Sequence, residues 1–151
     1  MQNLPEPGHD AARLRPRSAA SLPAAELAQL IGARLELPEA HRGAQEPASL
    51  RGISIDSRSV QPGDLYAALP GARFHGAGFA AAAIGSGAAA VLTDQAGLQL
   101  MLDDGPLSVP VIVAAVPREH MGQISASLYG GSEDERARMP LFGVTGTNGK
   151  T

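Results

Sequence analysis

The 151-residue sequence has no cysteine and no tryptophan, and its aromatic side chains are confined to Tyr66, Phe74, Phe79, Tyr129 and Phe142. Without a thiol there is no disulfide framework, no cysteine-ligated zinc or iron–sulfur centre and no cysteine nucleophile. Without large rings, the core has to be assembled from Ala, Val, Leu and Ile. A basic excess is also missing: 12 cationic side chains face 15 acidic ones, a formal net charge of −3, which argues against electrostatic capture of nucleic acid. No stretch approaches the roughly 20 apolar residues of a membrane-spanning helix, and no apolar segment of signal-peptide length follows Arg13, Arg15 and Arg17. These absences predict a cytoplasmic protein with no nucleic-acid partner and no membrane insertion; a monomer is expected. The 18 glycines and 12 prolines stay below the level of a low-complexity chain. Scarcest among the cations is lysine: every other one is arginine, and the single Lys150 lies in a glycine-rich run.

What is present divides the chain. Residues 1–20 mix Pro, Gly, Arg and Ala with no apolar period and read as a disordered leader. A helix is predicted from Ala24 to Ala33, started by Ser21 and Pro23 and stopped by Gly32. Leu37 to Ala48 reads as a connector. In Arg51-Gly52-Ile53-Ser54-Ile55-Asp56 the period is two, with Ile53 and Ile55 on one face and Ser54 and Asp56 on the other, which predicts a strand. Gln61-Pro62-Gly63-Asp64 is a turn, with Asp64 as a turn residue, and Asp64 to Leu69 is a second strand. The loop Pro70 to Gly78 is glycine-rich. Phe79–Gly85 reads as a helix, Ala88–Thr93 and Val109–Ala115 as strands, the latter covered on both faces, and Pro117–Tyr129 as a helix with Met121, Ile124 and Leu128 facing the core. A charged linker containing Glu133 and Glu135 follows, then a strand over Leu141–Val144. Strands alternating with helices predict an α/β layered sheet flanked by helices.

That last strand runs into Thr145-Gly146-Thr147-Asn148-Gly149-Lys150-Thr151, which has the parts of a phosphate loop. Glycines allow successive backbone N–H groups to face phosphate oxygens, the Lys150 ammonium bridges phosphates, and the Thr151 hydroxyl is a Mg²⁺ ligand. A compact ammonium suits such a cradle better than a planar guanidinium. The spacing departs from the usual phosphate-loop pattern, whose first glycine falls at Val144 between Gly143 and Gly146. The bland alternative is a glycine-rich turn.

The segments Ile55-Asp56-Ser57-Arg58, Val60-Gln61-Pro62-Gly63-Asp64-Leu65-Tyr66-Ala67-Ala68-Leu69-Pro70-Gly71, Gly87-Ala88-Ala89-Ala90-Val91 and Gly143-Val144-Thr145-Gly146-Thr147-Asn148-Gly149-Lys150-Thr151 resemble the Mur ligases, above all the UDP-N-acetylmuramoyl-tripeptide synthetase (MurE) type. The resemblance spans Leu50 to Thr151. It implies an ATP- and Mg²⁺-dependent ligase that adds the third amino acid, meso-diaminopimelate or L-lysine, to UDP-N-acetylmuramoyl-L-Ala-D-Glu through an acyl phosphate. It further implies a UDP-substrate-binding N-terminal domain over 21–130, a linker over 131–139 and the opening of the ATP-binding domain over 140–151. Such a chain is not expected to be catalytic by itself. Carried over by position, Ile55 and Ser57 fall where the family contacts the UDP-sugar, and Ala72, Arg73 and Phe74 at a second uridine-contacting stretch. Gly146, Thr147, Asn148, Gly149, Lys150 and Thr151 fall on the ATP loop, with Lys150 the catalytic cation and Thr151 the metal ligand. Some members have His-Gln-Ala where this chain has Ala72-Arg73-Phe74, so backbone contacts, with Arg73 near the diphosphate, take over from a side-chain bond at the first position. His75-Gly76 replaces the more usual Asp-Gly, and the role of His75 stays open.

Other residues have structural readings. Asp56 and Arg58 form a surface ion pair of little energetic weight, while His9, His41 and His120 are solvated and lack a second ligand at metal spacing. Three rivals to the MurE-type reading remain at this level: a MurF-type ligase adding D-Ala-D-Ala, a stand-alone UDP-sugar-binding module, and a structural α/β domain with a fortuitous glycine-rich end.

Overall fold

Four short apolar runs pair in parallel to make the centre of the protein. The computed structural model describes residues 19–39 and 48–130. The strands are β4 (Gly52–Ser54), β5 (Asp64–Ala67), β6 (Ala90–Thr93) and β7 (Val111–Val113), and a short β2 (Arg34–Glu36) adds to β7 in the antiparallel sense. The sheet order is β2-β7-β6-β5-β4, with Leu65 opposite Ala90 and Leu92 opposite Ile112. Helices α1 (Ala24–Leu30) and α4 (Met121–Tyr129) cover one face, while α2 (Ala80–Gly85) and α3 (Gln95–Asp104) cover the other. A separate two-stranded ribbon joins β1 (Leu22–Pro23) to β3 (Ser49–Leu50).

Alternation along each strand feeds two cores. Leu65, Ala67, Ala90, Leu92, Ile112 and Ala114 pack with Leu27, Ile31, Ile124 and Leu128. Their neighbours Tyr66, Ala68, Val91, Val111 and Val113 pack with Ala80, Ala83 and Leu98. Because both faces are buried, the strands read as continuous apolar runs. The small side chains Ala77, Ala80, Ala83 and Ala88 form much of the second core where bulkier residues would be usual. Each fully buried Leu, Ile or Val contributes about 1.5–3 kcal/mol by leaving water.

Turn chemistry acts as expected at the Gln61–Asp64 turn. Gly63 has φ +90°, the Asp64 amide donates to the Gln61 carbonyl at 3.0 Å, and the buried Asp64 carboxylate accepts from the Gln61 amide at 2.8 Å. Several elements are shorter than the sequence pattern suggests. Helix α1 stops at Leu30, ahead of Gly32 at φ +64°. Strand β5 stops at Ala67, where the Leu69 amide folds back onto the Ala67 carbonyl at 3.0 Å. Strand β4 ends at Ser54, so Ile55 and Asp56 do not continue its two faces: Asp56 instead caps a 3₁₀ turn over Ser57–Ser59. The predicted Pro117–Tyr129 helix opens with a 3₁₀ turn over Pro117–His120. Elements β1, β2, β3 and α3 have no counterpart in the sequence pattern. The linker, the Leu141–Val144 strand and Gly146–Thr151 lie outside the described residues, as do His9, His41, Glu133 and Glu135.

Helix α3 packs unusually close to the sheet at Gly97. A β-carbon there would overlap the Thr93 Oγ1 atom and stand 2.5 Å from His75 Cε1, and Thr93 Oγ1 is already committed to the Ala68 carbonyl at 3.0 Å. Replacing Gly97 by Ala is expected to destabilise the protein by about 1–3 kcal/mol through overpacking, despite the better helix propensity of Ala. Urea denaturation of the variant checks this.

Candidate functional site

All four parallel strands point their carboxyl ends the same way, and the loops there carry the sequence-predicted contact residues that the structure describes. In open α/β sheets this is the edge where ligands bind. Ile55 and Ser57 follow β4, Ala72, Arg73 and Phe74 follow β5, and Asp94 and Gln95 follow β6. β4 and β5 are neighbours, so the two predicted stretches emerge side by side. A cleft of about 380 Å³ lined by Arg34, Asp94, Gln95 and Ala114, among others, lies at the ends of β6 and β7.

The loop after β4 is shaped by its own polar groups. Ser54 Oγ donates to the Asp56 carbonyl at 2.9 Å, and the Asp56 amide donates back to Ser54 Oγ at 3.2 Å. Asp56 Oδ1 accepts from both the amide and Nε of Arg58 at 3.0 Å, and Asp56 Oδ2 pairs with Arg58 Nη2 at 2.8 Å. The expected surface ion pair is present, and Asp56 also serves as a cap. These interactions leave Ser57 half-buried, its hydroxyl without a hydrogen-bond partner among the described residues, and Ile55 66% exposed.

The loop after β5 is a tight turn on a fixed stem. Pro70 and His75 form an antiparallel bridge, and the Gly71 amide donates to the Phe74 carbonyl at 3.1 Å. Ala72 and Arg73 are exposed at the tip, Arg73 has no ion-pair partner among the described residues, and Phe74 is 73% exposed. Tyr66 Oη supports the stem by donating to the Gly76 carbonyl at 2.9 Å. His75, whose role the sequence leaves open, is held at both ring nitrogens: Nδ1 accepts from the Ala77 amide at 3.0 Å and Nε2 meets Asp94 Oδ1 at 3.0 Å. Both ring nitrogens are thus engaged by the protein's own groups. Asp94 caps α3 by accepting from the Gly97 amide at 2.8 Å. The pattern Asp-x-x-Gly ahead of Leu98 and Met101 is the available sequence signal for that cap.

The electrostatics follow from these contacts. The Arg58 side-chain hydrogen bonds, then its backbone amide and its charge, hold the Asp56 carboxyl below the usual carboxylate range, and the same pairing raises the Arg58 guanidinium. Burial, and secondly the Asp56 charge, push the Tyr66 phenol above its ordinary value. Among the described residues no group of three or more His, Asp or Glu is placed to hold a metal ion. His120 is half-buried rather than fully solvated, at the end of its 3₁₀ turn. No helix among the described residues is long and apolar enough to cross a membrane. The carboxyl edge thus presents the exposed Ile55, Arg73 and Phe74 and the half-buried Ser57.

This layered sheet, covered by helices on both faces and open at its carboxyl edge, defines the protein as an α/β domain. The family model described as "Mur ligase family, catalytic domain" matches residues 49–138, and the chain belongs to the Mur ligase family. It is 44% identical over 137 residues to UDP-N-acetylmuramoyl-L-alanyl-D-glutamate–2,6-diaminopimelate ligase of Streptomyces coelicolor, a match covering 91% of this chain and 24% of that protein. It is 41% identical over 138 residues to UDP-N-acetylmuramyl-tripeptide synthetase of Leifsonia xyli subsp. xyli, again covering 91% and 24%. The chain therefore spans about a quarter of the length of these curated relatives. A crystal structure of MurF from Acinetobacter baumannii aligns over 73% of this chain and 21% of its own, with TM-score 0.52 and 22% identity, a likeness of fold alone.

Replacing Tyr66 by Phe removes the bond to Gly76 and is expected to cost about 1 kcal/mol at neutral pH. The phenol's folded pKa is raised, so its contribution is present below the unfolded value near 10 and is lost as pH rises through the folded value. The deficit of the variant relative to wild type should therefore shrink at alkaline pH, as measured by urea denaturation at pH 7 and at about pH 10.5.

Proposed function

We propose that this chain is the UDP-substrate-recognition part of a MurE-type ligase that adds the third amino acid to UDP-N-acetylmuramoyl-L-Ala-D-Glu in peptidoglycan precursor synthesis. The observation that carries the reading is that the two loops, Ile55–Ser57 and Ala72–Phe74, both follow the carboxyl ends of adjacent parallel strands, with Ile55, Arg73 and Phe74 exposed. Residues 21–130 form the recognition domain, 131–139 a linker, and 140–151 the opening of the ATP-binding domain. The names of the Streptomyces and Leifsonia relatives support the MurE-type activity, and the Streptomyces name favours diaminopimelate over lysine as the added amino acid. The enzyme is cytoplasmic and works as a monomer.

Each outward group has a chemical part. The Ser57 hydroxyl, free of internal partners, donates to a uracil or phosphate oxygen. The Arg73 guanidinium offers charge-assisted hydrogen bonds to the diphosphate. Phe74 and Ile55 present apolar surface to the base, and the Phe74 ring can stack on it. ATP and Mg²⁺ would be held by Gly146, Thr147, Asn148, Gly149, Lys150 and Thr151, outside the described residues, with Lys150 as the phosphate-binding cation and Thr151 as the metal ligand. When bound, ATP supplies the phosphoryl group that activates the substrate carboxylate.

Calorimetric titration of UDP-N-acetylmuramoyl-dipeptide into the chain tests the reading, with ADP as the control ligand. Saturable binding of the UDP compound is expected. Ser57→Ala should weaken it roughly fivefold and Arg73→Ala about tenfold, the size of one neutral and one charge-assisted hydrogen bond. A chain that is folded by circular dichroism but does not bind the UDP compound sinks the proposal.

A further inference from the structure

Ala72, Arg73 and Phe74 are exposed, yet the next side chain turns inward: the His75 side chain is 15% exposed and its Asp94 partner 20%. The hydrogen bonds there form one continuous path. The Ala77 amide donates to His75 Nδ1, which leaves the proton on Nε2; Nε2–H donates to Asp94 Oδ1, and the same oxygen accepts the Gly97 amide. The path leads from the loop after β5 to the first turn of α3, which follows β6. It exists because Gly97 has no side chain, since a β-carbon there would collide with the imidazole.

The stem of the turn is also held by β5 and by the residues just after it. The Gly76 amide donates to the Leu69 carbonyl at 2.9 Å, and Tyr66 Oη donates to the Gly76 carbonyl. Gly71 and Phe74 are closed on each other, so the orientation of the whole turn is set where its stem is anchored. The anchors on Leu69 and Tyr66 tie it to its own strand, and the His75–Asp94 bond ties it to the neighbouring one. A turn restrained by two strands loses less conformational freedom when a ligand fixes Arg73 and Phe74, and affinity rises accordingly.

We propose that His75 is a positioning residue for the UDP substrate: through Asp94 it tethers the Gly71–Phe74 turn to the β6–α3 junction and so sets the placement of Arg73 and Phe74. This rests on the substrate-recognition reading above. His75 itself does not touch the ligand.

Two amide side chains divide the two bonds of the imidazole. Gln places a donor near the position of Nε2 and can keep the bond to Asp94, whereas Asn places an acceptor near Nδ1 and keeps only the bond from Ala77. The experiment measures the Kd of the 151-residue chain for UDP-N-acetylmuramoyl-dipeptide in wild type, H75A, H75N, H75Q, D94A and H75A/D94A, at a temperature where circular dichroism shows each to be folded. Loss of about tenfold is expected for H75A, H75N and D94A, the size of one hydrogen bond to a charged group. H75Q should stay within about threefold of wild type, and the double variant should lose no more than D94A alone, because both single changes cut the same tether. A merely structural role would instead track the unfolding midpoint and would not separate H75Q from H75N. Wild-type affinity in H75A, or losses in H75A and D94A that add, overturns the proposal. If the wild-type chain itself does not bind, the recognition reading falls. Amide ¹⁵N relaxation of Ala72–Phe74 in the ligand-free chain then still decides the tether: greater mobility in H75A and H75N but not in H75Q supports it, and unchanged order in H75A removes it.

Discussion

A parallel sheet joined by crossovers has to be covered on both faces, and nearly every feature of this domain follows from that requirement. With few aromatic rings available, the covering is done by small aliphatic side chains, and the alanines around α2 and the glycine in α3 let those helices approach closely. The edges need separate treatment, since an unpaired strand edge invites pairing with another chain. At one side β2 supplies an antiparallel partner for β7. At the other, the Tyr129 hydroxyl of α4 accepts the Ile53 amide of β4 at 2.9 Å and satisfies a donor that no strand reaches.

Burying both faces and securing the edges leaves the strand ends as the place for function. At the carboxyl edge the polar residues divide into two sets. Ser54, Asp56, His75, Asp94 and Tyr66 direct hydrogen bonds inward or along their own loops, so they shape the site without facing a ligand. Ile55, Arg73 and Phe74 are left exposed and Ser57 half-buried, as the proposed recognition surface requires. Membership of the Mur ligase family gives that surface its context, and the inward set explains how a glycine-rich loop can present an arginine and a phenylalanine in a defined place.

How much of this is legible in the sequence depends on whether the signal is local. The apolar runs of β5, β6 and β7 and the turn at Pro62-Gly63 can be read because they depend on neighbours in sequence. Strand β2 cannot: three residues with charged ends have no period, and they form a strand only because β7 offers an open edge. Helix α3 escapes the pattern because the run Leu98-Gln99-Leu100-Met101-Leu102 fits a period of two as well as a helical one, and Gly97 argues against a helix, although Asp94 and Gly105 mark its ends. The alternation reads as a strand through Ile55 and Asp56, but the polar turn capped by Asp56 ends β4 at Ser54.

By itself, the sequence determined the layered α/β class, the family, the segments that reach the candidate site and the phosphate-loop motif around Lys150, because each is written in the order of neighbouring residues. Only the tertiary structure decided what His75 does. Its partner Asp94 lies 19 positions away on another strand's loop, and the space its ring occupies exists because Gly97, on a helix, lacks a β-carbon. Such a contact is a property of three segments meeting, and no local pattern in any of them encodes it.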